Sequence, residues 1–266
     1  MPSSQEINTM PREKLSVLIP AFNNEATLPA LLDDVKWADE IVVVDSFSTD
    51  ATPEICRQRG VRFIQHEYLN SAKQKNWAIP QCSHDWILVV DTDERLPQAL
   101  QTEIRGLLEA GIPAQVDAFR VARKNYLLGQ WLKSMFLYPD YQVRLFRRAK
   151  GYYEDKEVHA DVVVPGRVLT LQTPLDHYAT PTLAKQINLL DRYSTYQAAE
   201  LLKRGRRFRW HNLILRPIAV LLYLFLWKGG FREGFRGLFV AFHTAAYIFF
   251  THAKLWEQEW KDGKRR

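Results

Sequence analysis

The stretch that decides the fold runs from residue 15 to residue 45 and reads LSVLIPAFNNEATLPALLDDVKWADEIVVVD. Short runs rich in β-branched and aliphatic residues stand at both of its ends, at Leu15–Ile19 and Ile41–Asp45. Between them, after Thr27 as N-cap, four apolar residues fall at helical spacing: Leu28, Leu31, Leu32 and Val35. A strand, a helix and a second strand in this order form one βαβ unit of a parallel sheet.

The same alternation continues as far as Asp91. Two more strands are predicted at Val61–Ile64 and Trp86–Asp91. Two more helices are predicted, one after the start signal Ser48-Thr-Asp50 and one over Ala72–Ile79, where Pro80 stops it. The first part of the chain is therefore expected to be an α/β fold with helices flanking a mainly parallel sheet.

After about Pro97 the alternation fades into a helix and then strands near 117–122, 142–147 and 162–164, which we expect to continue the sheet and cover it. From Lys185 onward the composition changes to long helices rich in Leu, Phe, Tyr and Trp. The predicted organisation is an N-terminal tail over 1–14, an α/β domain over 15–184 and a helical region over 185–266.

The composition narrows the classes of protein. The 266 residues are 47% hydrophobic and 25% charged, which is typical of a globular chain and not of a disordered one. The two cysteines have no metal-ligand spacing, so neither a disulfide framework nor a zinc site is predicted. The first residues do not resemble a secretory signal, and we expect a protein of the cytosol or of its membrane face. The net charge of +6 favours an anionic partner.

Two carboxylates stand at predicted strand ends, Asp45 and Asp91. Ligands of open parallel sheets bind beyond the carboxyl ends of the strands. Right-handed crossovers would place the first strand between these two, so the carboxylates should lie about 10 Å apart, which suits the base and the diphosphate of one nucleotide. The alternative is that each aspartate only caps the helix that follows it.

The second of these carboxylates begins the sequence Asp91-Thr-Asp93-Glu94. Carboxylates at Asp91 and Asp93, spaced i, i+2 in a turn, can hold a hard divalent cation such as Mg²⁺ or Mn²⁺ and leave coordination positions for phosphate oxygens. Such a cation offsets the charge that develops on a departing diphosphate. Asp-x-Asp occurs in many loops, but here it directly follows a predicted buried strand.

The C-terminal region combines basic and apolar runs. Lys203–Arg209 is strongly basic, and apolar runs follow at Leu213–Trp227 and Leu238–Phe250. The uninterrupted apolar part after Arg216 is about half of the roughly 20 residues that a spanning helix needs, so a re-entrant or interfacial helix pair on an anionic membrane surface is predicted, with peripheral association through residues 203–256. The alternatives are a helical hairpin packed on the α/β domain and a dimer interface. Nucleic acid is not an expected partner, because it would not explain the apolar runs.

Several segments together resemble a known family. They are Leu15–Glu25, Trp37–Asp50, Gln74–Asn76, Trp86–Glu94, Tyr138–Arg148, Glu157–His159 and Ala253–Trp256. On these segments the sequence resembles family 2 glycosyltransferases of the GT-A fold, especially the bacterial lipopolysaccharide core β-1,4-glucosyltransferases that act on heptose. The resemblance implies a Rossmann-like, mixed but mainly parallel sheet, with residues 15–184 as the catalytic domain and the amphipathic helical region attached to the membrane.

The resemblance also implies an activity. It is the inverting transfer of a hexose, most simply glucose from UDP-glucose, to a lipid-linked or lipopolysaccharide-core acceptor at the cytoplasmic face of the inner membrane. The implied contacts to the nucleotide-sugar come from Pro20, Phe22, Glu25, Asp45, Lys75, Asn76 and Asp91. Asp45 would bind the uracil, Asp91 the ribose and the metal shell, and Asp93 the metal. For Lys75 and Asn76, the alternative is an ordinary solvated helix face.

Inversion needs a base that takes the proton of the acceptor hydroxyl. The candidates are Glu157, Asp140 and Asp161. The family usually has a glutamate after Val-His, whereas this chain has Ala160, so the base stays open among the three. His159 would contact phosphate or acceptor, or is structural. Phosphate or acceptor contacts are also expected from three arginines, unless they form the wet face of a strand: Arg144, Arg147 and Arg148.

Two other functions compete with this interpretation. A sugar nucleotidyltransferase would share the sheet and the metal, but it would carry a glycine-rich phosphate loop, and Pro20–Glu25 contains no glycine. A catalytically degenerate, nucleotide-sugar-binding membrane scaffold is favoured only by Ala160.

Overall fold

The computed structural model describes residues 12–156, 160–180 and 182–264, and these divide into two compact units. The first unit holds residues 12–122, 141–155 and 160–175, and the second holds 123–140, 156, 176–180 and 182–264. The division differs from the expected boundary after residue 184, because residues 123–140 group with the C-terminal helices. Backbone amides explain this grouping: Met135 donates to the Lys228 carbonyl, and Ser134 donates to Glu233.

The strands and helices follow one another in a mixed order. The strands are β1 (Leu15–Ala21), β2 (Glu40–Asp45), β3 (Arg62–Gln65), β4 (Trp86–Val89), β5 (Glu94–Arg95), β6 (Val116–Leu127), β7 (Gln130–Trp131), β8 (Asp140–Arg147), β9 (Tyr152–Tyr153), β10 (Val162–Val163), β11 (Arg167–Thr170) and β12 (Leu175–Thr180). The α-helices are α1 (Leu28–Val35), α2 (Thr52–Gln58), α3 (Ser71–Ala78), α4 (Gln98–Ala110), α5 (Leu183–Lys203), α6 (Trp210–Leu222) and α7 (Gly234–Lys264).

The main sheet has the order β3-β2-β1-β4-β8-β6 through the first unit. β1 pairs in parallel with β2 and β4, and β2 pairs in parallel with β3. β4 pairs antiparallel with β8, while β11 joins β6 in parallel. The expected α/β class, with a mixed but mainly parallel sheet and β1 between β2 and β4, is confirmed.

One predicted strand does not continue the main sheet. Val162 and Val163 instead pair antiparallel with Tyr153 and Tyr152, forming a separate two-stranded sheet of β9 and β10. Closing this short local hairpin costs less chain entropy than joining a distant strand.

Both faces of the parallel strands are buried, which explains their almost continuous apolar runs. On one face, Leu15, Val17 and Ile19 pack with the apolar stripe of α1, at Leu28, Leu31, Leu32 and Val35. On the other face, Leu18, Val42 and Val44 pack with Ala72 and Ala78 of α3. Thr27 stands at the N-cap of α1 as expected, but its side chain makes no capping hydrogen bond.

The C-terminal helices are longer than the apolar runs suggested. α6 begins at Trp210, passes through Arg216 and Pro217, and continues as a π-helical turn, Tyr223–Trp227. By length and composition alone, two helical segments could cross a membrane, Trp210–Trp227 and Gly230–Gly263. The helix that contains the apolar run after Arg216 starts before that arginine, so it is longer than the run alone. Peripheral association remains a proposal.

Candidate active site at the carboxyl ends of the strands

The loops that follow β1 and β2 are joined side by side at the carboxyl end of the sheet. The Asn23 amide donates to Ser48 Oγ over 2.8 Å, and the Thr49 amide donates to Asn23 Oδ1 over 2.8 Å. Glu25 Oε2 accepts from the Ala51 amide at 2.9 Å. Glu25, predicted to line the nucleotide pocket, thus fastens one loop to the other.

Asp45 ends β2 and is fully buried. Its Oδ2 accepts from the Ser48 amide at 2.8 Å and from Gln65 Nε2 at 3.1 Å, and its Oδ1 accepts from Ser48 Oγ. It caps the turn after β2 and not α2, which begins only at Thr52. Asp45 thus accepts three hydrogen bonds, and a carboxylate has about four acceptor positions.

Exposed aromatic rings stand on both loops. Pro20 lies near the end of β1, and Phe22, just past that end, is 57% exposed. Phe47, two residues after Asp45, is 56% exposed and has a φ of 60°. Phe47 is not among the residues predicted from the sequence, although an aromatic residue two positions after a strand-end aspartate was a usable signal. Two such rings are suited to stacking on a planar base.

Asp91 opens a tight turn just beyond β4. The Glu94 amide donates to the Asp91 carbonyl at 2.9 Å, and the Asp91 amide donates to Glu94 Oε2 at 3.0 Å. The Glu94 side chain has no exposed surface, whereas that of Asp91 is 30% exposed. The turn therefore points Asp91 toward solvent and Glu94 into the protein. The sequence motif contains Glu94, but it did not predict that this side chain is buried and holds the turn together.

Two buried cations hold Asp91. Lys75 Nζ lies 2.7 Å from Asp91 Oδ1, and Arg144 Nη2 lies 3.0 Å from Oδ2. Arg144 also forms an ion pair with Glu94. Lys75 and Arg144 are only 5% and 4% exposed, so the solvated helix face considered for Lys75 is excluded.

The pKa values of both cations reflect this cluster. Burial is the largest influence on the pKa of Lys75 and works to lower it, but the charge of Asp91, that of Tyr153 and the hydrogen bond to Asp91 together outweigh burial, so the pKa is raised. Burial likewise opposes the charge of Arg144, and Glu94 together with Asp91 raises its pKa well above the ordinary value. Both side chains therefore stay positively charged at neutral pH.

Asn76 has a different contact from the predicted one. Its amide nitrogen donates to the Tyr153 carbonyl at 2.8 Å, and its amide oxygen accepts from the Tyr153 amide at 2.8 Å. Lys75 Nζ lies 5.1 Å from the centre of the Tyr153 ring. Asn76 thus ties the β9–β10 hairpin to α3 and sets Tyr153 beside Lys75.

Two polar atoms of this cluster are buried without a hydrogen-bond partner among the described residues, Arg144 Nε and the Tyr153 hydroxyl. Both can donate a hydrogen bond. Buried donors of this kind beside two cations suit an anionic group such as a phosphate.

The Asp91–Asp93 turn fits a divalent cation only in part. Asp93 is half-buried in the same turn, so the turn offers two carboxylates. In the described part of the chain, no three side chains of His, Cys, Asp or Glu come together as a metal site. Mg²⁺ is commonly bound by one or two carboxylates plus substrate phosphates and waters, and the pair matches that pattern.

The three candidate bases and His159 fall in different places. Glu157 and His159 lie outside the described residues. Asp161 precedes β10, is exposed, and its carbonyl accepts from the Glu154 amide at 3.0 Å. Asp140, in the second unit, accepts from Arg123 at 2.6 Å and from Asn125 at 3.2 Å.

Two of the three predicted arginine contacts are wrong. Arg147 pairs with Asp85 and lies over the Trp86 ring, and Arg148 donates to the Cys82 carbonyl. Both lie at the start of β4, opposite to Asp91. β8 runs antiparallel to β4, so three residues beyond Arg144 the chain has reached the other end of the sheet.

The model of the family described as glycosyl transferase family 2 matches residues 16–168. The chain is 33% identical over 256 residues to the lipopolysaccharide core biosynthesis glycosyltransferase LpsC of Rhizobium meliloti, covering 94% of each chain. The chain belongs to glycosyl transferase family 2. This glycosyltransferase is also 29% identical to an uncharacterized glycosyltransferase, RT0209, of Rickettsia typhi, over 92% of its own length and 87% of the relative's.

Among solved structures, the glycosyltransferase is similar to glucosyl-3-phosphoglycerate synthase from Mycobacterium tuberculosis, crystallised with Mn²⁺, UDP and glucosyl-3-phosphoglycerate. The two are 23% identical, with a TM-score of 0.36, over 43% of this chain and 44% of that one. The family resemblance and the enzyme class expected from the sequence are confirmed by the family match and the LpsC relationship.

Proposed function

We propose that this glycosyltransferase transfers a hexose, glucose in the simplest case, from a UDP-sugar to a lipopolysaccharide-core or lipid-linked acceptor, with inversion at the anomeric carbon. The acceptor class is suggested by the name of LpsC. The observation that carries the proposal is the cluster of Lys75 and Arg144 around Asp91, in a turn that also holds Asp93. In this cluster, buried cationic side chains that can bind a diphosphate lie next to carboxylates that can bind a divalent metal ion.

The proposed donor site extends across the carboxyl ends of β2, β1 and β4. The base stacks between the loops that carry Phe22 and Phe47, near Pro20, and reaches Asp45. Lys75 and Arg144 bind the diphosphate on the side of the site opposite the base. Asn76 contributes indirectly, because it holds Tyr153 beside Lys75. Asp93, with Asp91, holds Mg²⁺ or Mn²⁺, which when bound offsets negative charge on the diphosphate.

The transfer step is a single displacement. The acceptor hydroxyl oxygen forms a bond to the anomeric carbon while the bond from that carbon to the diphosphate oxygen breaks, and UDP leaves with the bonding electrons. The hydroxyl proton goes to a carboxylate. We propose Asp161 for this role. Its carboxylate is exposed and has no ion pair within the described ranges, whereas Asp140 is held by Arg123 and Asn125.

Donor choice is tested by thermal unfolding of the full chain with UDP-glucose, UDP-galactose, GDP-mannose and ADP-heptose, each with and without Mn²⁺. We expect UDP-sugars to raise the Tm and Mn²⁺ to increase that shift, since a ligand of the native state stabilises it by mass action. A larger shift with a non-uridine donor would contradict the proposed nucleotide.

Transfer is then measured with the best donor and de-O-acylated lipopolysaccharide core as acceptor. Asp161→Asn is expected to lower kcat at least about hundredfold with donor binding unchanged, and Asp140→Asn is the matched comparison. An equal loss in both variants, or loss only in Asp140→Asn, would move the base elsewhere. Donor binding without any transfer or hydrolysis would support the scaffold alternative.

We also propose peripheral attachment to the cytoplasmic face of the inner membrane. Along α6 and the π-helical turn, Trp210, Ile218 and Trp227 are 63%, 54% and 81% exposed. Apolar side chains presented beside arginines suit the boundary between lipid headgroups and acyl chains.

A further inference from the structure

The second unit contains a cavity of about 500 Å³ between the end of α5, the start of α6 and α7. Its lining includes Arg206, Arg207, Arg209, Asn212, Arg216 and His252, and no carboxylate among the residues that the structure describes. A cavity with four arginines and no acid has a strongly positive potential, which attracts an anion.

The arginines of the cavity are available to a ligand. None of the four makes a side-chain hydrogen bond or an ion pair with any described residue. Arg206 and Arg207 also line a neighbouring cavity that contains Glu259 and Asp262. Arg209 and Arg216 do not line it, so they carry the uncompensated charge.

His252 provides an independent sign of a ligand. It is 5% exposed, it lines the cavity, and its Nδ1 is buried with no hydrogen-bond partner in the described chain. Burial, together with the charges of Arg216 and His211, lowers its pKa. A buried ring nitrogen without a partner, surrounded by cations, is a feature that a bound anion would correct.

The apolar surface beside the cavity identifies the kind of anion. Arg216 and His252 also line an adjoining cavity of about 320 Å³, and Leu201, Tyr247 and Ile248 form part of its lining. A free phosphate has no use for such a surface. An amphiphile places its phosphate among the arginines and its chains along these residues.

We propose that this cavity is a binding site for the phosphate headgroup of a lipid, separate from the donor site and more selective than general attraction to an anionic surface. Arg209 and Arg216 donate charge-assisted hydrogen bonds to the phosphate oxygens, and His252 donates from Nδ1. The site rests on the membrane attachment proposed above and gives that attachment headgroup selectivity.

The test is co-sedimentation of the full chain with vesicles of digalactosyldiacylglycerol, a neutral lipid without phosphate, that contain either phosphatidic acid or oleic acid and are matched for zeta potential. Selective phosphate binding predicts about tenfold tighter binding to the phosphatidic acid vesicles, which corresponds to about 1.4 kcal/mol. Equal binding to both anionic vesicles would reduce the cavity to general electrostatics and overturn the proposal. No binding to any vesicle would overturn the membrane attachment itself.

Paired variants locate the selectivity. Arg209→Gln/Arg216→Gln is expected to lose the tenfold preference, while Lys228→Gln/Arg232→Gln, which removes the same charge outside the cavity, keeps it. Thermal unfolding confirms that both variants are folded; if the first is not, Arg216→Gln alone is used. Equal loss of the preference in both pairs would overturn the assignment.

Inorganic phosphate at millimolar concentration distinguishes the source of the phosphate. A lipid ligand predicts that free phosphate weakens the preference less than twofold, because it lacks the chains. Complete competition by free phosphate would overturn a lipid ligand and indicate a soluble phosphate.

Discussion

At the scale of single residues, Asp93 is the side chain whose role is simplest to isolate. It is half-buried in the turn after β4 and is absent from the clusters of buried core residues. We expect Asp93→Asn to leave the Tm nearly unchanged and to reduce metal-dependent transfer at least about hundredfold, because an amide is a poor ligand for a hard cation. Transfer rates titrated with Mn²⁺ check this, with Asp155→Asn on an exposed side chain as control. Undiminished transfer would remove the metal from Asp93.

Arg144 has a structural role that can be separated from catalysis. Removing it takes the Arg144 guanidinium away from Glu94, a carboxylate with no exposed surface. Arg144→Met is expected to lower the free energy of unfolding by about 3–5 kcal/mol, and the double variant Arg144→Met/Glu94→Gln to recover much of that loss. Urea unfolding measures both.

The matched comparison for Arg144 is Arg57→Met, which breaks an exposed pair with Glu54 and should change little. If Arg144→Met unfolds at the urea concentration of the wild type, the buried pair contributes nothing to stability.

At the scale of elements, Glu40 is the first residue of β2 and connects this strand to its neighbours. It accepts from Ser16 of β1 at 2.6 Å, from the Ser83 amide at 2.7 Å and from Arg62 of β3 at 3.1 Å. Burial alone would raise the pKa of Glu40, yet these hydrogen bonds outweigh it and lower the pKa from 4.5 to about 2. The carboxylate therefore links three neighbouring strands of the sheet and the loop before β4.

This pKa gives a pH dependence with a definite sign. The folded value lies below the unfolded one, so the ionised group stabilises the fold above about pH 4.5 and its contribution is lost as the pH falls toward about 2. Glu40→Gln is expected to lower the free energy of unfolding by up to about 3 kcal/mol at pH 7 and by almost nothing near pH 2. Urea unfolding between pH 2 and pH 7 tests it, with Glu67→Gln as control. A constant difference across that range would contradict the assignment.

At the scale of the whole molecule, the proposed membrane attachment depends on the exposed apolar residues of the C-terminal helices. Trp210→Gln/Ile218→Gln/Trp227→Gln is expected to move most of the protein from the membrane to the soluble fraction, because three exposed apolar anchors are lost. Leu69→Gln/Val168→Gln removes exposed apolar residues of the first unit and should leave the distribution unchanged. Retention of the triple variant on membranes after a carbonate wash would indicate that the helices span the bilayer.

Part of this protein followed from the sequence alone. The order of strands and helices in residues 15–91, the place of β1 between β2 and β4, and the position of Asp45 and Asp91 at strand ends all follow from local patterns plus the fixed hand of βαβ crossovers. The family followed from motifs in the same segments. The catalytic base stays a proposal, since one of its three candidates, Glu157, lies outside the described residues.

Only the tertiary structure decided which side chains meet. Lys75 lies on α3 and Arg144 on β8, and their approach to Asp91 depends on how α3 packs and on the antiparallel register of β8 against β4. The same register places Arg147 and Arg148 at the other end of the sheet from the site. Because α6 continues through Arg216, this helix is longer than the apolar run in the sequence. Local periodicity specifies an element and the face it buries, but the pairing of distant elements is chosen by the packing energy of the whole fold.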